Sequence, residues 1–234
     1  MKLEQHQITS SCGEYSRDIW FLPGPPNLPH RLCVFLEGEY YLRDMECVPV
    51  IEELVVNEAI PPVTCLFVSH ATGEARHRDY TCNEAYTRFV ADDVVSWAKG
   101  RNERLTIGDS LICGLSLGGL ASAYSALQYP SVFSCSLSQP GSFWWLEGRD
   151  ITLPRTRAKF WLSVGDEETA IGISHSPTGL FQAISQVNGV KKAVTRLKAL
   201  GAVVRYNEYS GGHAMALWRD EFPLALTWLI GRTA

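Results

Sequence analysis

At 234 residues, with 46% hydrophobic and 20% charged residues, the chain has the make-up of one ordinary-to-large globular domain, and disordered or fibrous classes are excluded. A formal net charge of -4 with no cluster of Lys and Arg offers no surface to a phosphate backbone, so nucleic acid is not an expected partner. No apolar run approaches the roughly 18 to 20 residues of a membrane span, and residues 1–10 are polar without the apolar centre of a signal peptide, so no membrane partner and a cytoplasmic location are expected.

Short apolar runs rich in β-branched and aromatic residues alternate with longer amphipathic stretches. That alternation predicts an α/β fold with a mostly parallel central sheet and helices on both faces. Residues 3–9 and 15–22 read as an antiparallel pair at the N-terminal sheet edge, followed by the proline-rich connector 23–29. Residues 31–36 form a buried strand, 45–58 a helix and, past Pro61-Pro62, residues 63–69 the next strand. Asn83 is placed to cap a helix running to about Lys99, because Ala85, Phe89, Val90, Val94 and Trp97 recur at helical spacing, and Gly100 is expected to stop it. Residues 110–115 form a strand that runs directly into Ser116, and 117–128 continue as a helix. Strands at 133–138, 159–164 and 203–209 follow, with helices near 179–200 and 215–229. Residues 1–234 read as a single domain without repeat or linker. The sequence leaves the oligomeric state open.

Seven cysteines, several inside apolar runs such as Leu32-Cys33-Val34-Phe35, cannot all pair and read as buried free thiols of a reducing compartment. No CxxC or Cys/His ligand spacing appears, and no metal or organic cofactor is implied.

Gly114-Leu115-Ser116-Leu117-Gly118 matches the G-x-S-x-G elbow and sits where that motif has mechanical meaning, between an apolar strand and a helix. The sharp turn forces the serine into a strained conformation, and the glycines relieve clashes around it. The helix N-terminus beyond it points free amides at the same spot, where an oxyanion would be stabilised. A serine hydroxyl needs a histidine to take its proton, and in this fold the chain order is Ser, acid, His. Of six histidines, His213 follows a strand and Ser210-Gly211-Gly212 and precedes an apolar helix, which puts it at the carboxyl end of the sheet. His6, His30, His70, His77 and His175 read as surface residues. The acid is expected after the strand 159–164, where Asp166, Glu167 and Glu168 compete; Glu168 is favoured, then Asp166.

Taken together the motifs resemble the enterochelin (siderophore) esterase branch of the esterase D superfamily of α/β-hydrolases. Residues 34–40 (VFLEGEY) are similar to its "LLDGxxW" segment, 76–83 (RHRDYTCN) to "RxxELxCN", 114–120 with 137–145 (LSQPGSFWW) to "GxSxGGL" and "LSQSGSxWW", and 211–219 (GGHAMALWR) to "GGHDxxxWR". Glu37 stands where the family more often has Asp, and Pro140 where it often has Ser.

The resemblance implies an α/β-hydrolase fold in which Ser116, His213 and Glu168 are catalytic and the backbone amides of Glu39 and Leu117 form the oxyanion hole. It also implies that Arg76 or Arg78 lies near the pocket, ready to hold an anionic or catecholate oxygen, and that Trp144 and Trp145 offer flat faces to a ring. The expected activity is hydrolysis of a small-molecule carboxylic ester through an acyl-enzyme, on a siderophore trilactone or on a simpler aryl or acetyl ester. Acyl transfer on the same fold, as in the mycolyltransferase relatives, and a non-catalytic ligand-binding module are the rival readings.

Overall fold

In a computed structural model, which describes residues 2–231, the strands are β1 (Glu4–Thr9), β2 (Ser16–Leu22), β3 (His30–Leu36), β4 (Val63–Val68), β5 (Leu105–Leu115), β6 (Phe133–Gln139), β7 (Lys159–Gly165), β8 (Ile173–His175), β9 (Leu180–Gln182) and β10 (Val203–Tyr209). One eight-stranded sheet takes the order β1-β2-β4-β3-β5-β6-β7-β10. β2 runs antiparallel to both β1 and β4, and the pairs from β4 to β10 are parallel. β8 and β9 stand apart as a small antiparallel hairpin.

Every residue of β4, Val63-Thr64-Cys65-Leu66-Phe67-Val68, is buried, which is the mark of a strand covered on both faces. On one face Leu32, Val34, Leu66, Val68 and Ile112 pack under α4 (Glu84–Arg88), α5 (Val95–Arg101), α6 (Leu117–Gln128) and α7 (Gln186–Ala199). On the other, Cys33, Phe35, Cys65, Phe67 and Cys113 pack under α1 (Gly38–Arg43), α2 (Cys47–Val56) and α8 (Met215–Ile230). This is the α/β-hydrolase architecture expected, with its antiparallel N-terminal edge. Among the described residues no helix is long and apolar enough to cross a membrane.

The departures from expectation have local causes. Asn83 does cap its helix, its side chain accepting from the Tyr86 amide at 3.0 Å, but the helix is continuous only through a π-helical turn, Phe89–Val94. Gly100 does not stop it: a helical glycine only weakens the segment, and α5 ends at Arg101 where Asn102 turns extended. Short helices α1 and α3 (Gly73–Asp79) were not expected from their mixed polar sequences. The start of the expected 179–200 helix is instead β9, and α7 begins at Gln186, where the Ser185 hydroxyl accepts from the Asn188 amide at 3.2 Å.

The carboxyl ends of β3, β5, β7 and β10 lead into Glu37, Ser116, Asp166 and Ser210 on one edge of the sheet, where open α/β sheets collect their functional loops. Two glycine substitutions separate the framework from its exposed parts. Gly100→Ala meets open space and is expected to raise the denaturant midpoint by about 0.5–1 kcal/mol of stability. Gly114→Ala would set a Cβ 2.0 Å from the Gly118 carbonyl and is expected to lose several times that, about 3 kcal/mol or more. Equal effects in chemical denaturation would contradict this assignment of the two sites.

Candidate active site

Ser116 has φ 52° and ψ -114°, a conformation that costs an L-residue on the order of 1–3 kcal/mol and persists only where the surroundings over-determine it. They do so here through the main chain. The Ser116 amide donates to the Gln139 carbonyl at 2.7 Å, and the Ser116 carbonyl accepts from Ser142 at 2.9 Å and Gly119 at 3.0 Å. The turn closes because Gly114, Gly118 and Gly119 lack side chains: a Cβ on Gly118 would lie 2.3 Å from Glu37 Oε2, and one on Gly119 would lie 2.8 Å from Gly141 Cα.

Glu37 is the carboxylate beneath this turn. It is fully buried and itself left-handed, with φ 60°. Its Oε2 accepts the Leu115 amide at 3.0 Å, its Oε1 the Arg76 Nε, and its own amide donates to the Tyr80 hydroxyl at 3.1 Å. Burial pushes the Glu37 carboxyl up, against the pull of the Arg76 guanidinium and the Leu115 amide. On the other side of the pair, burial works against the Arg76 charge, but the Glu37 carboxylate outweighs it and holds the guanidinium above its ordinary value.

His213 is carried by the loop between β10 and α8, and its Nδ1 lies 2.5 Å from Glu168 Oε2. A carboxylate only accepts, so Nδ1 donates in this bond, and in the neutral imidazole Nε2 is then the acceptor. Glu168 is buried, and its other oxygen accepts the Gly165 amide at 2.8 Å and the Tyr209 hydroxyl at 3.2 Å. Asp166 instead accepts the Gly211 amide at 2.8 Å, pinning the loop that carries His213. Trp218, from α8, sets its ring edge-on to His213 at 4.7 Å and donates its Nε1–H to the Tyr209 hydroxyl at 2.8 Å. Burial and the nearby Glu168 push the Tyr209 hydroxyl pKa well up, so it stays a donor. Tyr209 and Trp218 escaped the sequence reading as site residues; the signal was an aromatic with a polar tip closing a strand, and another one turn into the following helix.

Ser116, Leu117, Arg76, Trp144, Glu168 and His213 line one cavity of about 410 Å³. The Ser116 hydroxyl lies 3.3 Å from that of Ser142, which shares the wall. Arg78, Trp145 and Glu39 are not on that lining. Arg78 is exposed and bonds Asp79 at 2.9 Å, and Trp145 is half-buried against the core with the Arg149 guanidinium 4.4 Å over its ring. The Glu39 side chain turns to Ser69 and to His70 Nδ1 at 3.0 Å; burial raises its carboxyl, but those bonds outweigh it and hold it below the ordinary value.

The histidines expected at the surface are not all there. His30 is buried with Nδ1 2.8 Å from the Leu28 carbonyl, and His77 is buried with Nδ1 2.7 Å from the Thr178 hydroxyl. His175 stacks on Trp144, with centroids 5.0 Å apart and planes at 12°. It belongs to the β8–β9 hairpin, whose Ile173, His175, Leu180 and Gln182 alternate onto the cavity. Strands this short, broken by Pro177 and Gly179, carry too little alternation to be read from sequence.

A family model described as "Putative esterase" matches residues 19–229. The chain is 28% identical over 224 residues to an iron(III) enterobactin esterase of Dickeya dadantii, covering 92% of this chain and 52% of that one. It is 30% identical over 133 residues to the iron(III) enterobactin esterase of Escherichia coli K12, covering 56% of this chain and 33% of that one. The enterobactin esterase of Shigella flexneri, solved in the presence of enterobactin, superposes with a TM-score of 0.81 at 21% identity, over 98% of this chain and 59% of that one. The chain thus spans about half the length of the Dickeya relative.

The ion pair below the turn and the one on the surface should differ in weight. Glu37→Gln keeps an acceptor for Leu115 but leaves the largely buried Arg76 guanidinium unpaired, and a loss of about 3 kcal/mol is expected in denaturant unfolding. Arg78→Ala, at an exposed position, is expected to cost about 1 kcal/mol or less. A Glu37→Gln protein as stable as the parent would show that the carboxylate does not hold the turn.

Proposed function

The chain belongs to the Esterase family, and on that premise we propose that it is a serine hydrolase cleaving carboxylic ester bonds through an acyl-enzyme on Ser116. The observation that carries this reading is the meeting, on one cavity, of a hydroxyl on a strained bend with an imidazole whose far nitrogen is held by a buried carboxylate.

The chemistry follows from the proton positions. Ser116 Oγ attacks the ester carbonyl carbon as its proton passes to His213 Nε2, and the Glu168 carboxylate keeps Nδ1–H in place and stabilises the imidazolium that forms. The carbonyl electron pair moves onto oxygen, where the backbone amide of Leu117, in the first turn of α6 and on the cavity, would receive it; the second donor we propose is the amide of Glu39, in the first turn of α1 off the cavity lining. Each such donor is worth on the order of 3 kcal/mol to the transition state. The imidazolium returns its proton to the leaving alkoxide, and water repeats the cycle to release the acid.

For the substrate we propose a siderophore lactone with aromatic arms. Its support is the named activity of the Dickeya and Escherichia relatives, the flat Trp144–His175 wall and the Arg76 guanidinium on the same cavity. Arg76 has its Nε engaged with Glu37, which fixes the guanidinium as a positioned donor for an anionic oxygen. A cytoplasmic site of action is the location we propose. Cys33, Cys47, Cys65, Cys113 and Cys135 are buried free thiols, as suits a reducing compartment.

Ser116→Ala and His213→Gln are each expected to lower kcat/KM on a short p-nitrophenyl ester by about four orders of magnitude with unchanged circular dichroism. Glu168→Gln should come close to that through loss of the imidazole tautomer, whereas Asp166→Asn should cost about tenfold or less. A Ser116→Ala protein with parental turnover would place the nucleophile elsewhere, and an Asp166 effect exceeding that of Glu168 would reassign the acid. A panel of ferric and iron-free siderophores beside simple acyl esters reads the substrate class: cleavage confined to the simple esters would overturn the lactone assignment.

A further inference from the structure

On the face of the sheet covered by α8, away from the cavity, lies another buried carboxylate. Glu221 is 8% exposed and sits among the apolar neighbours Trp218, Phe222 and Ala225 of its own helix. Its Oε1 accepts the Gln139 side-chain amide at 2.7 Å and the Ser163 hydroxyl at 2.5 Å, and its Oε2 accepts the Asn207 amide at 2.6 Å. These donors come from β6, β7 and β10, three neighbouring strands, and all are neutral. Burial accordingly pushes the Glu221 carboxyl above its ordinary value. For packing alone an apolar side chain would serve the helix as well or better, since a carboxyl without a cation is costly to bury.

What the carboxylate touches is informative. Gln139 is the last residue of β6, and its carbonyl accepts the Ser116 amide at 2.7 Å. Its side-chain amide donates both to Glu221 and to the Trp218 carbonyl at 2.9 Å. Trp218 is the residue whose ring edge meets His213 and whose Nε1–H supports the Tyr209 hydroxyl on Glu168. One glutamine therefore holds the backbone of the serine with its main chain and, with its side chain, the helix turn against which the histidine rests. Glu221 fixes the direction of that side chain.

We propose that Gln139 and Glu221 are a positioning pair that sets the distance between Ser116 and His213 by locking α8 to the ends of β6, β7 and β10. Neither touches the substrate. The inference rests on the reading of Ser116 as nucleophile. Displacement of one reacting group by about 1 Å costs on the order of a hundredfold in rate, so a brace of this kind acts on kcat with little change in ground-state binding.

Glu221→Gln replaces one carboxylate oxygen by an NH2, set either against Asn207 or against Gln139 and Ser163, and Gln139→Met keeps the volume but removes both bonds to α8. Each variant is compared with the parent by fluorophosphonate labelling of Ser116, followed by mass, and by kcat and KM on a p-nitrophenyl ester, per folded molecule. The expected result is full final labelling at a rate lowered by about 10- to 100-fold, with kcat falling in step and KM within about twofold of the parent. A purely structural role would change the folded fraction and leave the labelling rate of the folded molecules at the parental value, and that result would overturn the inference. If Glu221→Gln does not fold, Gln139→Met, which leaves the Ser163 and Asn207 bonds in place, decides by the same readout. Failure of the parent itself to label at Ser116 would instead overturn the nucleophile assignment.

Discussion

The bend at Ser116 is the constraint around which the rest is arranged. A non-glycine residue at φ 52° does not stay there by its own preference, and the cost must be met by contacts that any relaxation would break. Those contacts come from three directions. Gln139 and Ser142 hold the main chain from β6 and the turn beyond it, the backbone of α6 closes from above, and Glu37 supports the end of β5 from below through the Leu115 amide. The glycines at 114, 118 and 119 are consequences of the same crowding, since a Cβ at each would lie within 3 Å of another atom.

Glu37 is also where two regions distant in sequence become one site. Its carboxylate accepts from Leu115 on one oxygen and from Arg76 on the other, and Arg76 comes from α3, beyond the next strand. The guanidinium therefore reaches the cavity wall only because a buried anion holds it there. An arginine held at its Nε presents the remainder of a planar fork at a fixed angle; Arg78 is held at its Nε too, by Asp79, but its exposed guanidinium lies off the cavity.

The inner strands were legible from the sequence because they are short apolar runs buried on both faces, and β4 lies within a residue of its expected span; β10 also matches its expected span although its residues are exposed or half-buried, while β5 begins at Leu105, five residues before the expected start. Ser116 and His213 were legible as a pair of loop residues because a glycine-rich bend and a glycine-flanked histidine each follow a strand. Within 166–168 the sequence favours Glu168, then Asp166, without a local pattern that separates them. In the structure Glu168 bonds back to its own Gly165 amide in a tight turn and reaches His213 Nδ1, while Asp166 faces the neighbouring loop. The β8–β9 hairpin and the burial of His77 were invisible for a different reason: both depend on a contact between residues 77 and 178 that leaves no local pattern.

That contact bears on how the cavity keeps its shape. The hairpin is an excursion between the acid turn and α7, and its own ladder is three residue pairs long, too short to be stable unaided. It is held at its turn by Thr178 on His77 and at its strands by the His175 ring on Trp144 and the Gln182 amide on the Ala170 carbonyl. Each anchor joins it to an element that also carries a cavity residue. The edge of the sheet that carries Ser116 is braced by strands and buried carboxylates, whereas the facing wall of the cavity hangs on a few side-chain contacts. Under the proposed function, changes in the hairpin should therefore alter which ester fits and leave the Ser116–His213 geometry untouched.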